Sequence, residues 1–167
     1  LSLDRYPFGC SEQVVSRAMP LLYLNELAAE SNLALEKGVD ERIRESIARV
    51  LSRQSADGSI GLWSASSEGG TDVWLHAYVT DFLTRAKERG FHVPDGAFRQ
   101  ALERLRNSVN ISRDLSEGGE GVAYALYVLA RNSVAPVGDI RYLADVKLDN
   151  IQTPLAKGQI GAALALL

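Results

Sequence analysis

One cysteine stands among 167 residues, beside two histidines and one methionine. A single thiol excludes an intrachain disulfide, so cysteine usage leaves the redox compartment open. One Cys and two distant His do not make a zinc ligand set. Asp139, Asp145 and Asp149 are widely spaced and read as a solvated face, so no metal is expected. A G-x-x-x-x-G-K-[ST] phosphate loop is missing, and the Gly-Gly pairs are turn chemistry. No apolar run approaches the roughly 20 residues of a membrane-spanning helix. Excess charge is small as well. A net charge of −3 and a pI near 5.4 argue against a nucleic-acid partner. A signal peptide is not evident, and both ends look cut, which predicts an excised piece of a larger protein.

What remains is ordinary for a globular chain. Hydrophobic residues make up 46% and charged residues 23%, enough for a sizeable core in one domain or part of one. Apolar residues recur at helical spacing almost throughout. Val15, Met19, Leu22 and Leu27 mark a helix from Ser11 to about Ala29. Asp40 is expected to cap a second, with Ile43, Ile47, Val50 and Leu51 as its stripe. Asp72 caps a third, Asp95 opens a fourth and Glu120 begins a fifth. Pro136 and Pro154 suit the first turns of a sixth and a seventh. Between them lie Gly/Ser-rich loops, with 108–119 read as the loop between the fourth and fifth helices. Loop-helix-loop-helix units of about fifty residues predict an all-α fold of stacked helical hairpins, either a solenoid or a closed barrel. Asp57-Gly58 makes a turn that Gln54 and Trp63 can pin.

The chemistry-bearing stretch is Tyr6-Pro7-Phe8-Gly9-Cys10-Ser11-Glu12-Gln13. Within one helical turn, a Cys and a Gln at i and i+3 can bring a thiol onto a carboxamide. Attack of the thiol on the Gln13 carbonyl, with loss of ammonia, would give an internal thioester. Gly9 supplies backbone freedom, and Ser11 is a plausible helix N-cap. Glu12 reads as a first-turn carboxylate favoured by the helix dipole, with a proton shuttle as its alternative. Tyr6 and Phe8 can give part of an apolar cover against water. On spacing alone, the lone cysteine reads as a small buried hydrophobe.

The block Gly-Cys-Ser-Glu-Gln resembles the thioester signature of the alpha-2-macroglobulin and complement superfamily. Its flanks, Tyr6-Pro7-Phe8 and Ser16-Arg17 with Pro20-Leu21-Leu22-Tyr23-Leu24, look like the bacterial members. The stretch from Arg53 to Trp63 resembles the hairpin ends of α/α toroids, and Trp74-Leu75-His76-Ala77-Tyr78-Val79 looks like a helix of the thioester domains. The resemblance implies that residues 1–167 are part of a thioester domain, about seven helices and roughly half of an α/α toroid. It implies a Cys10–Gln13 thioester that links covalently to lysine amines of attacking proteases, with the remaining domains of the parent protein shielding the bond. Such a trap is not an enzyme and needs no cofactor. The bacterial members imply a periplasmic or cell-envelope location.

In some complement relatives a loop histidine redirects the thioester towards hydroxyls. Residues 108–119 hold no histidine, which favours amine targets, and His76 reads as a surface or packing residue. Half a toroid would leave inner helix faces uncovered, which predicts self-association. Two other readings stand beside this one. An enzyme on the same toroid, such as a terpene cyclase, would need an acidic D-x-D-D-type motif that does not occur. A helical-repeat interaction module would carry an inert cysteine.

Overall fold

The computed structural model describes residues 9–30, 38–65 and 72–167, and of 25–30 the backbone alone. Among these residues there are eight α-helices and no sheet; the only β feature is an isolated bridge between Gln54 and Ile60. The helices are α1 (Ser11–Glu30), α2 (Val39–Leu51), α3 (Val73–Glu88), α4 (Asp95–Ser108), α5 (Ile111–Ser116), α6 (Glu120–Arg131), α7 (Val137–Val146) and α8 (Pro154–Ala165).

Hydrogen bonds fix how these helices run. Ser16 of α1 meets Tyr78 of α3 (3.1 Å), and seven residues further along both helices Tyr23 meets Arg85 (2.7 Å). Contacts that advance together mean parallel helices. The same holds for α3 and α6, which touch at Val73 and Gly121, at Asp81 and Tyr124, and at Glu88 and Arg131. Against α4 the direction reverses. His76 near the start of α3 reaches Ala101 well inside α4, and Lys87 near its end pairs with Asp95 at the α4 start. Parallel inner helices α1, α3 and α6, each joined to the next through outer segments, with α8 packed on α6, are the layout of an α/α toroid. The N-termini of α1, α3 and α6 therefore share one end.

Burial follows this plan. One core gathers α1 to α4 with Tyr124, Ala125, Val128 and Leu129 of α6. A second packs Val122, Ala123, Leu126 and Ala130 of the same helix against α7 and α8. Apolar residues on nearly all sides of α6 make it a buried helix shared by both cores. Phe82 of α3 is fully buried, and truncating such a side chain to Ala costs about 3–5 kcal/mol.

Two expectations need correction. Gly38, not Asp40, occupies the N-cap of α2; its φ of 87° is left-handed, which glycine enters at no steric cost. Residues 108–119 are not a plain loop, since α5 lies within them and makes an eighth helix. Asn110 caps α5 by accepting from Arg113 N at 3.1 Å. Of the two readings of His76, surface or packing, the structure has the second: it is 2% exposed, and its Nε2 donates to the Ala101 carbonyl at 2.9 Å. The cap at Asp72 and the first-turn place of Pro154 agree with the sequence reading, and Thr153 caps α8 by accepting from Ala156 N.

Candidate functional site

Cys10 sits immediately before the first turn of α1 and is 7% exposed. The first N–H groups of a helix have no partner inside it. Gln13 answers this from within the turn: its Oε1 accepts from the Cys10 N–H at 3.1 Å. This is the return arm of a capping box, in which an N3 side chain reaches back to the N-cap backbone. The cap itself draws the carboxamide over Cys10. Gln13 is exposed while Cys10 is buried.

Gly9 contributes space here. A Cβ on it would lie 3.2 Å from Gln13 Cβ and 3.3 Å from Gln13 Oε1, closer than nearly all real Cβ contacts. A side chain at position 9 would require Gln13 to shift by a few tenths of an ångström. Ser11 does not cap the helix. It is fully buried, its hydroxyl donates to the Gly61 carbonyl at 2.7 Å, and its N–H donates to the Leu62 carbonyl at 2.8 Å. Glu12 is exposed in the first turn of α1. Tyr6 and Phe8 lie outside the described residues.

A second segment, 52–62, forms the platform beneath this turn. Gly61 N donates to Arg53 O at 3.1 Å, and Asp57 accepts from both the backbone and the hydroxyl of Ser59, which holds its carboxyl below the usual range. Gln54 Nε2 donates to the Ala97 carbonyl at 2.9 Å, pinning the turn to α4. Trp63 is 58% exposed. From the platform Arg53 reaches back to α1. Its guanidinium donates to Gly9 O (2.8 Å), Ser11 Oγ (3.1 Å) and Leu62 O (3.1 Å). Burial lowers its pKa and the Arg49 charge adds to that, while a negative Cys10 acts the other way.

Arg53 is the residue that sequence reasoning missed. It stood at the head of the block read as a hairpin end, yet nothing in the sequence says that it bonds to Gly9, 44 positions away. Beside the same end of the inner helices lies a cavity of about 670 Å³, lined by Asp72, Trp74, Arg104, Asn110, Asp114 and Glu117 among others. Burial pushes the Asp114 carboxyl up.

A second polar cluster lies deeper. Asp81, 3% exposed, accepts two bonds from Arg85 Nε (2.9 and 3.0 Å) and one from Tyr124 Oη (2.9 Å), with Arg131 at 3.7 Å. Burial, then the neighbouring Asp81 carboxylate, pushes the Tyr124 hydroxyl far above its ordinary value. No group of three or more His, Cys, Asp or Glu able to hold a metal occurs among the described residues. No described helix is long and apolar enough to cross a membrane.

A row of parallel inner helices with a Cys-x-x-Gln turn at its N-terminal end gives the chain the α/α toroid fold of the thioester-domain kind. The family model of the A-macroglobulin TED domain matches residues 1–111, and the chain belongs to that family, alongside the bacterial alpha-2-macroglobulins. Alpha-2-macroglobulin from Escherichia coli is 35% identical, covering 97% of this chain, and that from Xylella fastidiosa is 31% identical over 96%. The chain spans about a tenth of the length of either relative (10% of each). Native alpha-2-macroglobulin from E. coli, in a crystal structure running to its C-terminus, superposes with a TM-score of 0.81 at 30% identity; the match covers 98% of this chain and 27% of that one. Salmonella alpha-2-macroglobulin reacted with methylamine gives 0.81 at 32% identity, covering 98% and 11%.

Proposed function

We propose that residues 1–167 are part of a thioester domain, and that Cys10 and Gln13 form an internal thioester by which the parent protein links covalently to attacking proteases. The observation that carries this reading is the Gln13 carboxamide folded back onto Cys10 N at 3.1 Å, at the start of α1. Sγ of Cys10 adds to the Gln13 carbonyl carbon, and the amide nitrogen leaves as ammonia with the thiol proton. A lysine amine from a protease then attacks the same carbon. An amide forms, the C–S bond breaks and the thiol is restored. A thiolate leaves more readily than an amide nitrogen, which stores the reactivity. Exposed Gln13 gives an amine its approach, while buried Cys10 keeps water from the sulfur side.

The trap is consumed in one event, so the reading is of an inhibitor and not an enzyme. The likeness to a protein reacted with methylamine supports amines as attacking groups. Shielding of the bond by Tyr6, Phe8 and further domains, and a periplasmic or cell-envelope location, belong to the same proposal. Self-association of the chain is proposed through the apolar residues exposed on α7 and α8, among them Val146 at 61% and Leu155 at 73%. A compact monomer in light scattering at high concentration removes that last point.

Intact mass tests the central claim. The chain is expected to be lighter by one ammonia and to take up methylamine at Gln13, and Cys10→Ser is expected to show neither. A full-mass chain that ignores methylamine would instead identify Cys10 as the inert cysteine of a helical-repeat module.

A further inference from the structure

We propose that Arg53 is the positioning residue of the Cys10–Gln13 turn: it holds the arch from Gly9 to Ser11 in place and presents a positive charge to the sulfur as the C–S bond forms and breaks. This rests on the thioester reading above.

Three observations carry it. First, the guanidinium bonds on both sides of Cys10, to Gly9 O at 2.8 Å and to Ser11 Oγ at 3.1 Å, and it ties both to Leu62 O at 3.1 Å. A planar fork with five donors can span such a set; the single ammonium of lysine cannot. Second, Arg53 is itself anchored. Its N–H donates to Val50 O at 3.1 Å and its carbonyl accepts from Gly61 N at 3.1 Å, so the side chain projects from a fixed base. Third, among the described residues no carboxylate pairs with this guanidinium, although burial and Arg49 both press against its charge. A neutral amide would donate to backbone carbonyls without that penalty. A cation is therefore a costly choice for a plain tie, and a useful one beside a sulfur that becomes negative whenever the thioester opens. The Ser11 ties to Gly61 and Leu62 bring the same platform under the turn, so Arg53 and the reacting pair move as one unit.

The test compares Arg53→Gln, Arg53→Lys and Gln54→Ala in the whole protein. Gln54→Ala loosens the same platform, by removing its bond to Ala97, without touching the arch. The fraction of chains lighter by one ammonia is expected to fall on the order of ten-fold or more in Arg53→Gln. Arg53→Lys keeps the charge and should recover part of it, and Gln54→Ala should keep the wild-type fraction even where its melting temperature drops as far. Amide exchange at Cys10–Gln13 should quicken in Arg53→Gln while α3 stays protected. The inference is overturned if Arg53→Gln keeps both the thioester and the protection, or if Gln54→Ala loses the thioester equally. Should the wild-type protein lack the mass loss, the thioester reading itself fails. Exchange at Cys10–Gln13 then decides the positioning claim alone.

Discussion

Two polar clusters in this molecule are built in opposite ways. Around Asp81, side chains satisfy side chains: one buried carboxylate takes Arg85, Tyr124 and the charge of Arg131, and little of its bonding capacity is left over. Around Cys10, side chains hold backbone: Arg53 takes Gly9 O, Ser11 takes Gly61 O, and Gln13 takes Cys10 N. The first cluster saturates a charge and joins α3 to α6. The second fixes the chain that carries the reactive pair. Buried polar groups alone are thus a poor guide to chemistry in this fold, and the better signal is effort spent on positioning a turn.

The comparison breaks most directly at Asp81. In Asp81→Ala, Arg85, Arg131 and Tyr124 lose their shared acceptor inside the protein, and breaking a buried ion pair from one side typically costs about 3–5 kcal/mol. Urea unfolding should show a loss of that order. Ammonia loss at the surviving folded protein should be unchanged. A near-neutral Asp81→Ala would mean that the cluster is not structural, and a selective loss of the thioester would mean that the two clusters are coupled.

His76 sharpens the same contrast through pH. Burial depresses its pKa below the ordinary value of 6.5, and the bond to Ala101 opposes this only partly. The unfolded chain therefore binds a proton near pH 6.5 that the folded chain refuses. Stability is fully present above that pH and is lost as pH falls towards the folded value, by at most about 1.4 kcal/mol per pH unit. Melting temperatures from pH 7.5 to 5 should fall more steeply for the wild type than for His76→Gln. Parallel curves would show that His76 does not drive the acid sensitivity.

Much of this was legible in the sequence, for identifiable reasons. Helices with long apolar stripes, such as α2 through Ile43, Ile47 and Val50, announce themselves by periodicity. Asp72 and Pro154 mark starts by local chemistry that needs no tertiary context. By contrast, α5 is six residues long and too short to show a period. Ser11 has the right identity for a cap, but tertiary bonds to Gly61 and Leu62 claim it. Arg53 was hidden for the same reason, since its partners are near in space and far in sequence. The Cys-x-x-Gln spacing was readable, whereas the platform that orders it arises only when 52–62 folds under α1.

Asp72 and Cys10 stand at the same end of the fold, each at the start of an inner helix. Asp72 caps by itself, accepting from Leu75 N at 3.1 Å. Cys10 offers no such side-chain acceptor; there the bond runs the other way, with Gln13 Oε1 accepting from the Cys10 N–H at 3.1 Å. Asp72→Ala should cost about 1 kcal/mol in unfolding experiments and leave the thioester intact. If it abolishes ammonia loss, the ends of α1 and α3 are not independent.

The smallest expected effect concerns Glu12, and it separates two roles for one carboxylate. As a charge in the first turn of α1, Glu12 gains a few tenths of a kcal/mol, up to about 1, from the unpaired N–H groups there. As a proton shuttle it would speed ammonia loss. Its exposure favours the first role, because a shuttle works best close to the reacting atoms and away from bulk water. Glu12→Gln keeps shape and polarity and removes only the charge. Thioester formation in Glu12→Gln, followed by intact mass after refolding, should match the wild-type rate, with a slightly lower melting temperature that salt erases. A slowed rate at unchanged stability would move Glu12 into the chemistry, and the Cys10 turn would then combine positioning by Arg53 with acid–base work of its own.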